Sequence, residues 1–205
     1  MKRSILNILG IAIVTLSMVS CRKDSLYPID TLEPGVYGQG KLVSGTFLEG
    51  NDAGSKVSMQ LKWIDVNRIL TMQKQELFVT FYQDYIDING NPATANHGTK
   101  SLLTMDCKGN NEASTFDITP AQIYTLFSAA QFNYGNGAVA VFGASRPSGA
   151  RFKVTDYFQL TWAFTGSNGL VYKYWSTSIP GYSGAPIYSN QPAIASNADV
   201  WWGVE

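Results

Sequence analysis

Val57, Met59, Leu61 and Trp63 alternate with Ser58, Gln60 and Lys62, the period of two that marks a strand with one face in a core. A second such pattern is longer. Phe152, Val154, Phe158, Leu160, Trp162 and Phe164 share one parity, while Lys153, Thr155, Gln159, Thr161 and Thr165 occupy the other. Asp156 interrupts the apolar face, which predicts a bulge there. Ser167-Asn168-Gly169 turns the chain and Leu170 to Ser176 returns it, so residues 151–178 read as an antiparallel hairpin. Leu77 to Ile88 is rich in aromatic and β-branched residues and runs into Asn89-Gly90, a preferred pair for a type I′ hairpin turn. Beyond it, Asn91 to Thr99 is loop-like in composition before Leu102 and Leu103. Val139, Val141 and Ala144 suggest a further strand, and Val200 to Val204 a closing one.

Helical spacing occurs once. Over 119–132, Thr119 can cap the free amides, Pro120 suits the first helical position and Gln122 completes a capping box. Ile123, Leu126, Phe127 and Ala130 fall on one face, and Asn133 and Gly135 supply the stop. The periodicity of Ile64 to Gln75 fits a second helix or a bent strand pair equally. Many short strands with one inserted helix, and no internal repeat, predict a mainly β chain. The expected fold is an antiparallel, immunoglobulin-like β-sandwich, with a small β-barrel as the alternative.

The N-terminus belongs to a different class. Lys2 and Arg3 precede an uncharged, mostly apolar run from Ile5 to Val19, the layout of a secretory signal and too short to span a bilayer as a permanent helix. Leu16-Ser17-Met18-Val19-Ser20-Cys21 resembles the lipobox of bacterial lipoproteins, with Met18 in place of the usual leucine. That resemblance implies cleavage before Cys21 and a diacylglycerol on its thiol. Residues 1–20 are then the signal peptide, 21–35 a lipidated tether carrying two prolines, and 36–205 a single β-rich domain. Acyl chains anchor such a protein without a spanning helix.

Composition changes this picture in two ways. The chain of 205 residues is 45% apolar with fifteen basic and fifteen acidic residues, which supplies a core and argues against nucleic acid as a partner. Cleavage would remove Lys2 and Arg3 and no acid, leaving a slightly acidic protein. With Cys21 committed to lipid, Cys107 has no partner for an internal disulfide and reads as a small buried or edge residue.

No catalytic residue, metal or cofactor is assigned. His97 stands alone, and zinc sites draw on several His or Cys ligands. Asp84, Asp87, Asn89 and Asn91 are oxygen-rich, but the glycine falls at the wrong position for a calcium loop, which favours a hairpin turn. The scattered acids form no evident glycosidase pair, and neither a nucleophile elbow nor a phosphate-binding glycine loop occurs. Aromatic residues, 13% of the chain, are the remaining resource. Trp201 and Trp202 are adjacent and point to opposite faces of a strand. Tyr182 and Tyr188 lie in the Pro-, Gly- and Ser-rich stretch 179–192. Tyr182, Tyr188 and one of Trp201 or Trp202 are therefore the candidate glycan-binding platform, flat apolar faces with polar rims; packing of these rings into the end of the sandwich is the competing reading.

The lipobox with Lys23-Asp24, together with the hairpin from Asp156-Tyr157-Phe158-Gln159-Leu160-Thr161-Trp162 to Asn168-Gly169-Leu170-Val171-Tyr172, resembles Bacteroidota outer-membrane lipoproteins with immunoglobulin- or fibronectin-like domains. Such proteins often accompany starch-utilisation-type systems that capture glycans. The resemblance implies a surface-exposed outer-membrane lipoprotein, not an enzyme, that binds carbohydrate and has outer-membrane proteins as possible partners. The alternative is a fimbrillin-like or envelope-assembly subunit pairing through Val200 to Val204.

Overall fold

Among the described residues, ten strands and one short helix form in the order β1 (Tyr37–Thr46), β2 (Lys56–Ile64), β3 (Met72–Ile86), β4 (Pro92–Asp106), β5 (Ser114–Ile118), α1 (Pro120–Phe127), β6 (Gln131–Asn133), β7 (Ala138–Ala140), β8 (Asp156–Gly166), β9 (Val171–Lys173) and β10 (Val200–Gly203). They are seen in a computed structural model that describes residues 35–143, 151–173 and 199–205. The expected signal peptide, Cys21, nearly all of the tether, Ala144, the end of the 151–178 hairpin, Tyr182 and Tyr188 lie outside the described residues.

The strands pair antiparallel into two main sheets, β1-β2-β5 and β10-β8-β3-β4, with β9 beside β8. Neither sheet closes into a barrel. The sheets form the expected β-sandwich, and their strand order matches the A-B-E and G-F-C-C′ sheets of the immunoglobulin-like arrangement. β10 and β9 lie one after the other along the same edge of β8, opposite Tyr157 to Leu160 and Ala163 to Thr165. β6 and β7 form a separate small hairpin.

Alternation builds the core as predicted. Val57, Met59, Leu61 and Trp63 of β2 are buried, as are Leu77, Val79 and Phe81 of β3 and Phe158, Leu160, Trp162 and Phe164 of β8. Gly38 and Gly40 of β1 are needed for space: a Cβ on Gly38 would lie 1.9 Å from Trp162 Nε1, and one on Gly40 2.5 Å from the same indole. Two missing side chains on one face of β1 thus make the slot for the tryptophan of the facing sheet.

Several local expectations change. Residues 65–71 are neither helix nor strand: the buried Asp65 carboxylate accepts hydrogen bonds from the backbone N–H of Asn67, Ile69 and Leu70 at 2.9, 2.7 and 2.8 Å, which organises a loop, and β3 begins only at Met72. Asn91 to Thr99 is almost wholly strand, because β4 runs from Pro92 against β3, which supplies its hydrogen bonds. His97 therefore sits in β4, its ring 4.6 Å from that of Phe81.

The turn at Asn89-Gly90 is not type I′. Only Gly90 takes positive φ, at +83°, and Gly90 N–H bonds to Asp87 O while Asp87 N–H bonds to Asn91 O. This is the three-residue hairpin loop that ends in a left-handed glycine. Gly166 to Leu170 repeats it, with Gly169 at +77°. The oxygen-rich cluster serves the turn: Asp87 Oδ1 accepts the N–H groups of Asn89 and Asn91, and these bonds hold its carboxyl below the usual carboxylate range.

Asp156 marks no bulge. It opens β8, buried, accepting from Lys153 N–H at 3.0 Å and from Gln83 Nε2 at 3.3 Å. The core parity accordingly does not extend back to Val154, which is 64% exposed. The helix carries the predicted capping box but ends at Phe127, and the chain then re-enters extended structure as β6. The predicted strand around Val139 is β7.

Candidate functional site

One face of the β10-β8-β3-β4 sheet packs against the core and the other looks outward. On the outward face stand Tyr82 of β3, Tyr157 and Gln159 of β8, and Trp201 of β10. Register brings them together: Tyr82 is directly opposite Tyr157, and Trp201 directly opposite Gln159, a spacing at which cross-strand side chains touch. The Tyr82 and Tyr157 rings stack with centroids 5.3 Å apart and planes 11° from parallel. Trp201 closes the group, at 5.4 Å from Tyr82 and 6.0 Å from Tyr157. Trp201 is 46% exposed and the tyrosines are half-buried.

A polar rim is attached to these rings. The Tyr82 hydroxyl donates to Gln159 Oε1 at 3.1 Å, and Gln159 Nε2 donates to Asp199 Oδ2 at 2.6 Å. Burial pushes the Tyr82 phenol up, and the nearby Tyr157 and Asp199 act in the same direction. It therefore stays a hydroxyl donor throughout the neutral range. Farther along the same face Phe78, Thr80, Thr161 and Ala163 are buried, so the open part lies at the Tyr82 end.

The predicted site is thus divided. Trp201 faces outward within an aromatic group. Trp202 does not belong to it: its ring stacks on Phe158 at 5.2 Å and meets Phe47 edge-on at 6.1 Å, inside the sandwich. The alternation of β10 imposes this, since Val200 and Trp202 share the core face. Two rings of the group, Tyr82 and Tyr157, were not predicted. Their outward parity was readable from Leu77–Ile88 and Phe158–Phe164, but their meeting depends on β3 pairing with β8, which neither segment reveals alone.

Such a surface groups three aromatic rings, of which the Trp201 indole is the exposed one, with two hydroxyls and an amide-carboxylate pair at its margin. Flat rings of this kind suit stacking against a planar or weakly polar ring face, and the margin supplies both donors and acceptors. Among the described residues no three His, Cys, Asp or Glu side chains gather as a metal-binding group, and no helix is long and apolar enough to cross a membrane.

No protein-family profile matches the chain, and no curated protein matches it. Among solved structures, a DUF4466 family protein from Parabacteroides merdae is similar over 67% of this chain at 13% identity, with a TM-score of 0.30. The matched region spans 41% of that protein's length.

Proposed function

We propose that the protein is a lipid-anchored outer-membrane module, exposed at the cell surface, that binds carbohydrate without transforming it, and that Tyr82, Tyr157 and Trp201 are its sugar-stacking platform. The observation that carries the reading is the exposed indole of Trp201 beside two stacked tyrosines. Large aromatic rings are costly to leave in water unless something covers them, and sugar rings offer apolar C–H faces bordered by hydroxyls that Gln159 and Asp199 can meet.

A glycan panel applied to the full chain tests this. Trp201→Ala is expected to weaken the retained glycan about tenfold, roughly 1.4 kcal/mol, and Tyr157→Ala to weaken it comparably. Retention of no glycan, or equal retention by both variants, would sink the platform. The anchor rests on the sequence of residues 16–21. Cells fed an alkyne-bearing palmitate should label the protein, and Cys21→Ala should abolish both the label and membrane recovery; label that persists in the variant would refute lipidation at Cys21.

The assembly-subunit alternative gains nothing from β10. Beyond β10, Val204 makes a parallel bridge with Phe47, and Glu205 exchanges backbone hydrogen bonds with Phe47 and Glu49 at 2.8 Å each. Part of the edge that a neighbouring subunit would need is already paired within the chain.

A further inference from the structure

At the opposite end of β3 from the aromatic platform, a cleft of about 780 Å³ opens between the loop joining β2 to β3 and the loop joining β4 to β5. Its size is that of a small-molecule site. The two loops are tied to each other. The Trp63 indole N–H donates to Lys108 O at 2.8 Å, Asn110 accepts from Asp65 N–H at 3.0 Å and donates to Asp65 O at 2.7 Å, and Asn111 N–H donates to Trp63 O at 2.9 Å. Its walls are therefore held before any ligand arrives, which lowers the ordering cost of binding.

Backbone strain collects here. Arg68 and Asn111, at φ +55° and +65°, are the two non-glycine residues in the left-handed region among the described residues, and both line this cleft. Asparagine tolerates that conformation and arginine rarely adopts it, and such outliers gather at functional sites.

Charge is one-sided. Arg68 and Lys108 line the cleft, are exposed, and have no ion-pair partner among the described residues. Asp65, the acid that lines it, is buried with its carboxylate taken by three backbone N–H groups. Ile64, Val66 and Leu70 contribute accessible apolar surface, while Trp63 and Met72, which also line the cleft, are buried.

We propose that this cleft binds a small amphiphilic anion, whose apolar body packs on Ile64, Val66 and Leu70 and whose acidic group is met by Arg68 and Lys108. A guanidinium and an ammonium without acids of their own favour a carboxylate, sulfonate or phosphate equally in kind. The site is separate from the platform and does not depend on the carbohydrate reading.

Equilibrium dialysis of the full chain against two dyes of one aromatic body tests it: 8-anilinonaphthalene-1-sulfonate, which is anionic, and N-phenyl-1-naphthylamine, which is neutral. The anionic dye is expected to bind at least tenfold more tightly than the neutral one. Arg68→Gln with Lys108→Gln should erase that preference while leaving the neutral dye unchanged, and Trp201→Ala should alter neither. Decanoate should displace the dye and inorganic phosphate should not; displacement by phosphate alone would remove the apolar half of the proposal. Arg68→Gly relieves the left-handed backbone, so it should melt no lower than the parent yet bind the anionic dye at least threefold more weakly. Equal affinity for the two dyes, or a double variant that binds the anionic dye as the parent does, would overturn the site.

Discussion

Cys107 shows how a single side chain's surroundings decide its chemistry. Its thiol is half-buried at the end of β4, packed against the core cluster. Burial pushes it up to about 12, with the charge of Asp106 acting in the same direction, whereas an unfolded cysteine titrates near about 8.5. The thiolate is the reactive form, so at pH 8 Cys107 should alkylate with iodoacetamide at least tenfold more slowly in the folded chain than in urea. The same shift couples to stability. Between about pH 9 and 12 the unfolded chain has released this proton and the folded chain has kept it, so stability falls as pH rises through that window and is untouched below it. Urea midpoints at pH 8 and 10.5 should therefore separate more for the parent than for Cys107→Ala; equal separation would show that the thiol does not contribute.

Elements were legible where their own residues carry the pattern. β2 could be read from Val57 to Trp63, and the core face of β8 from Phe158 to Phe164, because in each every second side chain is apolar and enters the core. The helix start was legible from local residues too, since Thr119 and Gln122 satisfy each other's backbone amides and Pro120 has none to leave free. β4 was not, because its hydrogen bonds come from β3 and its side chains lie largely at an exposed edge, where Asn96, Gly98 and Lys100 face no core. Nor was the loop at 65–71, where one carboxylate outweighs the apolar spacing of Ile64, Ile69 and Leu70. The platform shares that limit: Tyr82 and Gln159 hydrogen-bond across 77 positions of sequence. Half of the predicted tryptophan pair proved to face outward, and parity within β10 decided which half.

At the scale of the whole molecule, the β-sandwich must hold β10, a four-residue strand, without a disulfide among the described residues. One flank of β10 pairs with β8. Just beyond it, Val204 and Glu205 join the end of β1 through the Phe47 bridge and the Glu205–Phe47 and Glu49–Glu205 hydrogen bonds. The chain after β10 thus ties one sheet to the other, and the same short segment displays Trp201. Val204 is buried beside the core, so Val204→Asp places a carboxylate where water is excluded and disrupts the tie, at a cost of about 3 kcal/mol or more. Trp201→Ala removes a half-exposed ring from the outer face and should shift the urea midpoint by less than about 1 kcal/mol in free energy. If β10 positions the platform as well as fastening the sheets, Val204→Asp lowers the midpoint and glycan retention together, while Trp201→Ala lowers retention alone. Amide exchange locates the damage: Glu49 and Glu205 N–H should lose protection in Val204→Asp and keep it in Trp201→Ala. A Val204→Asp protein with the parent's midpoint and protection would mean that the sandwich is closed by its core alone, and that β10 rests on β8 without needing its second flank.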